Sequence, residues 1–298
     1  MPELPEVEVL REQLQKTVVG KEIADVQILR KKSFQGDPKE IIGRKIKEVK
    51  RRAKILIMEL GSKNNSTGKQ NNKSAIYLLV HLKMTGQLVF KSSSKARGRI
   101  VGGHPTLDWV KKLPGKHTRV IIKFKDKTKL FFNDLRVFGW LKIVKGGENL
   151  NQELSNFIGI EPLTKEFTVK ALSNLLQNKK KAIKLMLMDQ KLIAGVGNIY
   201  ANEALWEAKI LPQRPAQSLT LKEVKNLHKS INKVIDLGIK YGGASESDYR
   251  QLSGLGGKYQ EHFMVYKQDG KKCKRCLAII KKMKLGGRGT YYCPKCQT

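Results

Sequence analysis

The 298-residue sequence predicts an α+β chain of several domains: a β-rich N-terminal half, a helical stretch, and a small metal-binding β-hairpin at the end. Three observations lead there. Apolar runs of strand length fill the first half. Helical spacing of apolar residues takes over after about residue 150. All four cysteines fall in the last 26 residues.

The elements follow in order. Glu6, Val7, Val9, Leu10, Leu14 and Val18 carry the spacing of a helix near the start. Ile55–Leu60 and Ala75–Val80 are apolar runs that read as buried strands. The polar stretch between them, 61–74, is a loop. Val120–Phe132 reads as a hairpin turning near Asp126 and Lys127. Its lysines 123, 125, 127 and 129 form a basic face opposite Ile122 and Phe124. The Gly- and Pro-containing stretch 92–115 reads as a second surface loop. After a linker, helices are expected at Thr168–Asn178, Ala182–Leu192 and Ile199–Ala208. Another opens on the capping box Thr220-x-x-Glu223 and stops at Gly242-Gly243. A long Gly- and Ser-rich loop spans 244–260. The boundaries so drawn are 1–148, a linker at 149–160, 161–257, and 258–298.

The cysteines read Cys273-x-x-Cys276 and Cys293-x-x-Cys296, with 16 residues between the pairs. This spacing suits one structural zinc held by four thiolates, with Leu277–Tyr292 forming a hairpin between the knuckles. Two disulfides are the alternative, which a reducing compartment disfavours.

Charge narrows the partners. Lys and Arg number 59 and Asp and Glu 26, a formal net charge of +33. A polyanion is the natural counterpart, against the plainer reading of a solubilising surface. No apolar run reaches the length of a membrane span, and the N-terminus has neither the basic nor the apolar region of a secretory signal. The expected location is inside the cell, with a nucleic acid as the polyanion.

Chemistry concentrates at the start, where Pro2, Glu3, Pro5, Glu6 and Glu8 crowd into eight residues. Once Met1 is removed, Pro2 presents a secondary amine. An α-amino group has a reference pKa near 8, so much of it is neutral at pH 7. Such an amine can attack an electrophilic sugar carbon and form an iminium ion, with Glu3 beside it to carry protons. The structural alternative is a helix entry, with proline in the first turn and acids at the positive end of the dipole.

The opening Met1-Pro2-Glu3-Leu4-Pro5-Glu6-Val7-Glu8 resembles that of bacterial formamidopyrimidine-DNA glycosylases. So do His81-Leu82-Lys83-Met84-Thr85-Gly86, Asp134-Leu135-Arg136-Val137-Phe138-Gly139, Leu187-Met188-Asp189-Gln190, Gly195 through Glu203, and Arg288 through Cys293, all in the family's order. The resemblance implies an N-terminal β-sandwich with flanking helices, then a helix–two-turn–helix domain and the zinc hairpin. It implies a monomeric base-excision-repair enzyme that removes 8-oxoguanine and formamidopyrimidines from duplex DNA. The same enzyme then cuts abasic strands by β,δ-elimination.

On that resemblance Pro2 is the nucleophile, Glu3 the acid for the sugar ring oxygen, and Glu6 an organiser. Lys54 serves proton transfer in β-elimination, though its setting also suits a surface phosphate contact. Arg288 serves δ-elimination and a phosphate. Met84, Arg136 and Phe138 fill the gap left by the everted nucleotide; without the motif, Met84 and Phe138 would read as core. His117, Lys180, Lys184, Arg136 and Asn198 contact DNA, with the Gly195–Asn198 turn offering backbone N–H groups to phosphate. The loop 244–260 closes over the everted base. Val137 departs from a common arginine, Lys83 is unusual before the methionine, and the loops 61–74 and 92–115 exceed the family norm. Two other readings share these features: an endonuclease VIII-like enzyme for oxidised pyrimidines, and a DNA-binding protein without catalysis.

Overall fold

Apolar residues at positions 7, 10, 14 and 18 lie on one stripe of α1 (Leu4–Val18) and are all buried. A computed structural model describes residues 1–63, 75–92, 99–103, 113–155, 158–244 and 257–298. The chain divides into two units: Met1–Pro2 with Glu6–Leu154 and Ala244–Gly257, and Glu3–Pro5 with Ser155–Gly243 and Lys258–Thr298.

The first unit is a β-sandwich. Its strands are β1 (Ile23–Ile28), β2 (Phe34–Gln35), β3 (Arg44–Arg52), β4 (Ile55–Lys63), β5 (Ile76–His81), β6 (Gly86–Lys91), β7 (Arg99–Gly103), β8 (Thr118–Phe124), β9 (Lys129–Asp134) and β10 (Trp140–Lys145). One sheet runs β1-β8-β9-β6-β7 and the other β2-β10-β5-β4-β3. Alternate residues of both sheets meet in one core. Val120, Ile122 and Phe124 of β8 and Leu88 and Phe90 of β6 enter from one side. Leu56 and Met58 of β4 and Leu78 and Val80 of β5 enter from the other, with the α1 stripe joining them.

Three expectations for this unit need correction. The 92–115 stretch is not all loop, because β7 lies inside it and pairs with β6. The basic face of the β8–β9 hairpin is partly apolar, since Ile121 and Phe131 join Val89 in a second buried cluster against Leu113. There Lys123 pairs with Asp25 and Lys125 with Glu22. The 149–160 linker opens inside a helix, α2 (Gly147–Ser155), none of whose residues is buried. Within the expected loops at 61–74, 92–115 and 244–260, residues 64–74, 93–98, 104–112 and 245–256 lie outside the described residues.

The second unit is helical with one hairpin. It contains α3 (Val169–Leu176), α4 (Ile183–Leu187), α5 (Asn198–Glu207), α6 (Leu221–Lys240), β11 (Lys281–Leu285) and β12 (Arg288–Tyr292). Thr168 caps α3 by accepting the Ala171 N–H. The Thr220–Glu223 capping box is complete on α6. α6 runs out before Gly242 and Gly243, both at positive φ. α4 is shorter than the expected Ala182–Leu192: past Leu187 the Asp189 N–H turns back only three residues, to the Met186 carbonyl, and the helix closes.

Candidate functional site

Glu3 is buried, 4% exposed, against the start of α5. Its carboxylate accepts the Ile199 N–H at 2.9 Å and the Tyr200 N–H at 3.3 Å. These belong to the N–H groups that a helix leaves unpaired at its positive end. The turn before α5 is shaped to admit the chain start. Leu4 N–H donates to the Gly195 carbonyl at 3.0 Å. Gly195 sits at φ +89°, where a Cβ would lie 2.6 Å from Leu4. A Cβ on Gly197 would lie 2.2 Å from the Glu3 carboxyl carbon. Gln190 braces the turn, accepting the Gly195 N–H at 2.9 Å and donating to the Val196 carbonyl at 2.7 Å.

N–H groups in and just after that turn are engaged within the protein. The N–H groups of Gly195, Ile199 and Tyr200 serve Gln190 and Glu3. The Asn198 side chain donates to the Gly289 carbonyl at 3.2 Å.

The three N-terminal carboxylates have separate surroundings. Glu6 accepts the Ala244 N–H at 2.7 Å, at the root of the 244–260 loop. Glu8 pairs with Arg51 at 2.7 Å and Arg11 at 2.6 Å. Burial pushes its pKa up, but the two guanidiniums prevail and hold it below the usual carboxylate value. Pro2 is half-buried beside an exposed Met1. Lys54 closes the two-residue turn between β3 and β4 and is 4% exposed, so the surface reading gives way to a buried one.

Lys184, expected on DNA, is fully buried. Its ammonium donates to the Gly289 carbonyl at 3.0 Å and the Thr290 hydroxyl at 2.7 Å. Burial lowers its pKa to about 8, against the pull of Glu3 and with the repulsion of Arg288. Asn202 completes this docking of β12 by accepting the Tyr291 N–H at 2.8 Å. Arg288 itself is exposed at the start of the strand.

Met84 is half-buried in the turn before β6, while Arg136 and Phe138 are exposed after β9. The Arg136 guanidinium stands 4.7 Å from the Phe138 ring centre. His117 is half-buried; burial and the charges of Lys116 and Arg119 keep its pKa low. Lys180 is exposed.

The four cysteine sulfurs lie within 4.8 Å of one another, and none is in a disulfide. The contacts Cys273–Cys296 and Cys276–Cys293 measure 3.9 and 3.4 Å. A tetrahedron with Zn–S bonds of about 2.3 Å has edges of about 3.8 Å, so the donors fit one structural zinc. With all four positions filled by thiolates, the ion supplies rigidity to the hairpin and no open site for chemistry.

Residues 1–141 match the family profile described as formamidopyrimidine-DNA glycosylase N-terminal domain. Residues 158–250 match its H2TH domain, and 270–298 the zinc finger found in FPG and IleRS. The chain belongs to the formamidopyrimidine-DNA glycosylase family. It is 36% identical over 301 residues to the formamidopyrimidine-DNA glycosylase of Ligilactobacillus salivarius, covering 100% of this chain and 99% of that one. It is 38% identical to that of Wolbachia pipientis wMel, over 301 residues and 100% of both chains. Among solved structures, the Lactococcus lactis Fpg in complex with abasic-site DNA is similar with a TM-score of 0.83 and 34% identity, covering 99% of each chain. A mutant of that Fpg in complex with Fapy-dG DNA has the same TM-score and identity, covering 100% of each chain.

In this formamidopyrimidine-DNA glycosylase family member, sequence reasoning passed over two working side chains. Gln190 braces the turn described above. Glu203 is 2% exposed and accepts the N–H groups of Met264, Val265 and Tyr266 at 3.0, 3.0 and 2.8 Å. Burial raises its pKa, against those three N–H groups. Both stood inside motifs already singled out, and a carboxylate flanked by the apolar and small residues of 199–206 was the available signal.

Proposed function

We propose that this chain is a bifunctional DNA glycosylase and abasic-site lyase that removes oxidised purines from duplex DNA. The observation that carries the reading is the burial of Glu3 on the first N–H groups of α5, one residue from Pro2. Two fixed donors hold this carboxylate in one orientation, ready to take a proton and return it. The Pro2 amine, freed of Met1, attacks C1′ of the everted nucleotide as the bond to the base breaks. Glu3 delivers a proton to the sugar ring oxygen, the ring opens, and an iminium ion links Pro2 to the sugar. Loss of a C2′ proton then expels the 3′ phosphate, and a second elimination expels the 5′ phosphate.

Lys54 serves the first elimination, and Arg288 the second while also holding a phosphate. Glu6 organises the root of the closing loop. Met84, Arg136 and Phe138 occupy the gap in the duplex, and His117, Lys180 and Asn198 contribute to DNA contact. Lys184 acts on DNA through the hairpin it docks. The working division is a catalytic domain at 1–148, a connector at 149–160, a DNA-binding domain at 161–257 and the zinc hairpin at 258–298. The net charge of +33 suits a duplex partner, and the Lactococcus lactis relative is seen with abasic-site and Fapy-dG DNA. Among the described residues no helix is long and apolar enough to cross a membrane. The enzyme works where its substrate is, on the chromosome.

Borohydride trapping on an 8-oxoguanine duplex tests this. The purified chain lacking Met1 gives a covalent adduct whose attachment maps to Pro2. No adduct, with tight binding retained, would leave a DNA-binding protein. Faster turnover of a thymine glycol duplex would leave an endonuclease VIII-like enzyme.

A further inference from the structure

Two separate turns present the residues that the proposed function inserts into DNA. The first, Leu82–Thr85, leads into β6 and carries Met84; the second, Leu135–Gly139, follows β9 and carries Arg136 and Phe138. β6 and β9 are antiparallel neighbours with Gly86 opposite Asp134, so both turns leave the same end of the sheet.

One buried side chain joins them. Asp134 is fully buried and Thr85 nearly so. The Thr85 hydroxyl donates to Asp134 Oδ1 across the strands. Asp134 Oδ1 also accepts the Arg136 N–H at 3.3 Å, and Oδ2 accepts the Gly139 N–H at 2.7 Å. The Arg136 N–H reaches the Thr85 hydroxyl oxygen at 3.0 Å. Thr85, in the first turn, thus donates to the carboxylate that anchors the second turn and accepts from that second turn's backbone.

The turns do not hold their shapes by themselves. Lys83 at φ 50° and Val137 at φ 56° are non-glycine residues in the left-handed region, and Val137 is β-branched. Close packing leaves no slack, since a Cβ on Gly86 would lie 2.3 Å from the Leu82 carbonyl and one on Gly139 2.7 Å from Phe132. His81 Nδ1 accepts the Lys83 N–H at 3.0 Å. Burial, with Lys83 and Lys54 nearby, lowers the His81 pKa to about 3, so that acceptor persists at neutral pH.

We propose that Asp134 and Thr85 are positioning residues that fasten the Met84 turn to the Arg136–Phe138 turn, so that three side chains from two loops enter the duplex as one preformed element. This rests on the reading of those three as the residues that fill the gap. Preformation matters because loose loops must be ordered at every insertion, and that ordering is subtracted from the energy available to hold a nucleotide out of the stack.

The test uses the full zinc-loaded chain lacking Met1. Single-turnover excision is measured on an 8-oxoguanine duplex, with 2-aminopurine beside the lesion to report eversion. Borohydride trapping on a single-stranded abasic oligonucleotide, which has no stack to open, is measured in parallel. Thr85→Val and Asp134→Asn should slow eversion and duplex excision about tenfold to a hundredfold, with single-strand trapping as in the wild type. Thr85→Ser keeps the hydroxyl and should restore duplex excision. Thr85→Val at the wild-type rate would overturn the proposal, as would equal losses on both substrates, which would mean a general folding defect. Met84→Ala with Phe138→Ala separates the two readings. If that pair also excises at the wild-type rate, the gap-filling role falls; if it is slow while Thr85→Val is not, only the clamp falls.

Discussion

Gly197→Ala isolates the placement of Glu3 from its chemistry. The added Cβ would lie 2.2 Å from the Glu3 carboxyl carbon, whereas ordinary contact begins at 3.4 Å. The shortfall is 3.4 − 2.2 = 1.2 Å, and it cannot be absorbed by rotation of a free chain end, because the carboxylate is tied to Ile199 and Tyr200. Gly197 has φ −129°, so alanine suffers no left-handed strain there and the effect is steric. A catalytic group displaced by about 1 Å loses about 10²-fold in rate, or about 3 kcal/mol of transition-state stabilisation. Gly197 is also the N-cap of α5, where alanine is poorer than glycine by up to about 1 kcal/mol of stability. Single-turnover excision from an 8-oxoguanine duplex measures the first effect and thermal melting the second. Gly61→Ala is the control, since a Cβ there makes only ordinary contacts, the nearest at 3.4 Å. Excision by Gly197→Ala within twofold of the wild type would refute the assigned role of Glu3 or its held position.

Three other predictions follow from the same geometry. Glu3→Gln retains an oxygen to accept from α5 but cannot shuttle a proton, so excision should fall about 10²–10⁴-fold with DNA affinity unchanged in a gel-shift titration. Lys184 has a folded pKa of about 8 against an ordinary 10.5, so between those values the unfolded chain holds a proton that the folded chain has released. Stability should therefore rise with pH from about 8 to about 10.5, by on the order of 3 kcal/mol, and be flat in this respect below 8. Urea unfolding of wild type and Lys184→Met across that window measures the difference; parallel curves would show that the ammonium is not strained. Cys273→Ser should leave less than one zinc per chain by metal analysis and lower the ratio of δ- to β-elimination product, since the hairpin presenting Arg288 loses its brace. An unchanged product ratio without zinc would separate the metal from that step.

What was legible in the sequence was local. The α1 stripe, the Thr220–Glu223 box, the alternating strands and the paired Cys-x-x-Cys knuckles are each decided within a few residues. Their partners are dictated by period, capping or ligand spacing. The strand at 99–103 was invisible because it is five residues long and carries two glycines. The helix at 147–155 was invisible because it buries nothing, leaving no apolar stripe to see. For the site, the sequence offers candidate residues and not their wiring. Lys184 reads as one more cation among 59 until Gly289, 105 residues away, covers it. The Gly195–Asn198 turn has the composition of an anion cradle. That Glu3, nearly 200 residues upstream, takes the Ile199 and Tyr200 N–H groups just beyond it cannot be read from that composition.

The ten residues of α5 have a consequence for how this protein can change. Their first N–H groups orient Glu3, Asn198 and Asn202 grip β12, and Glu203 pins 264–266. Tyr200 stacks on Tyr259 at 5.2 Å and Trp206 lies under Arg275 at 4.0 Å. Residues 199–206 are all buried, so the helix has no spare side on which neutral drift could accumulate. Saturation mutagenesis should find it intolerant on every face, whereas the surface of α6 should accept wide variation. Engineers seeking altered lesion preference would do better to leave this segment untouched and diversify the loops around it.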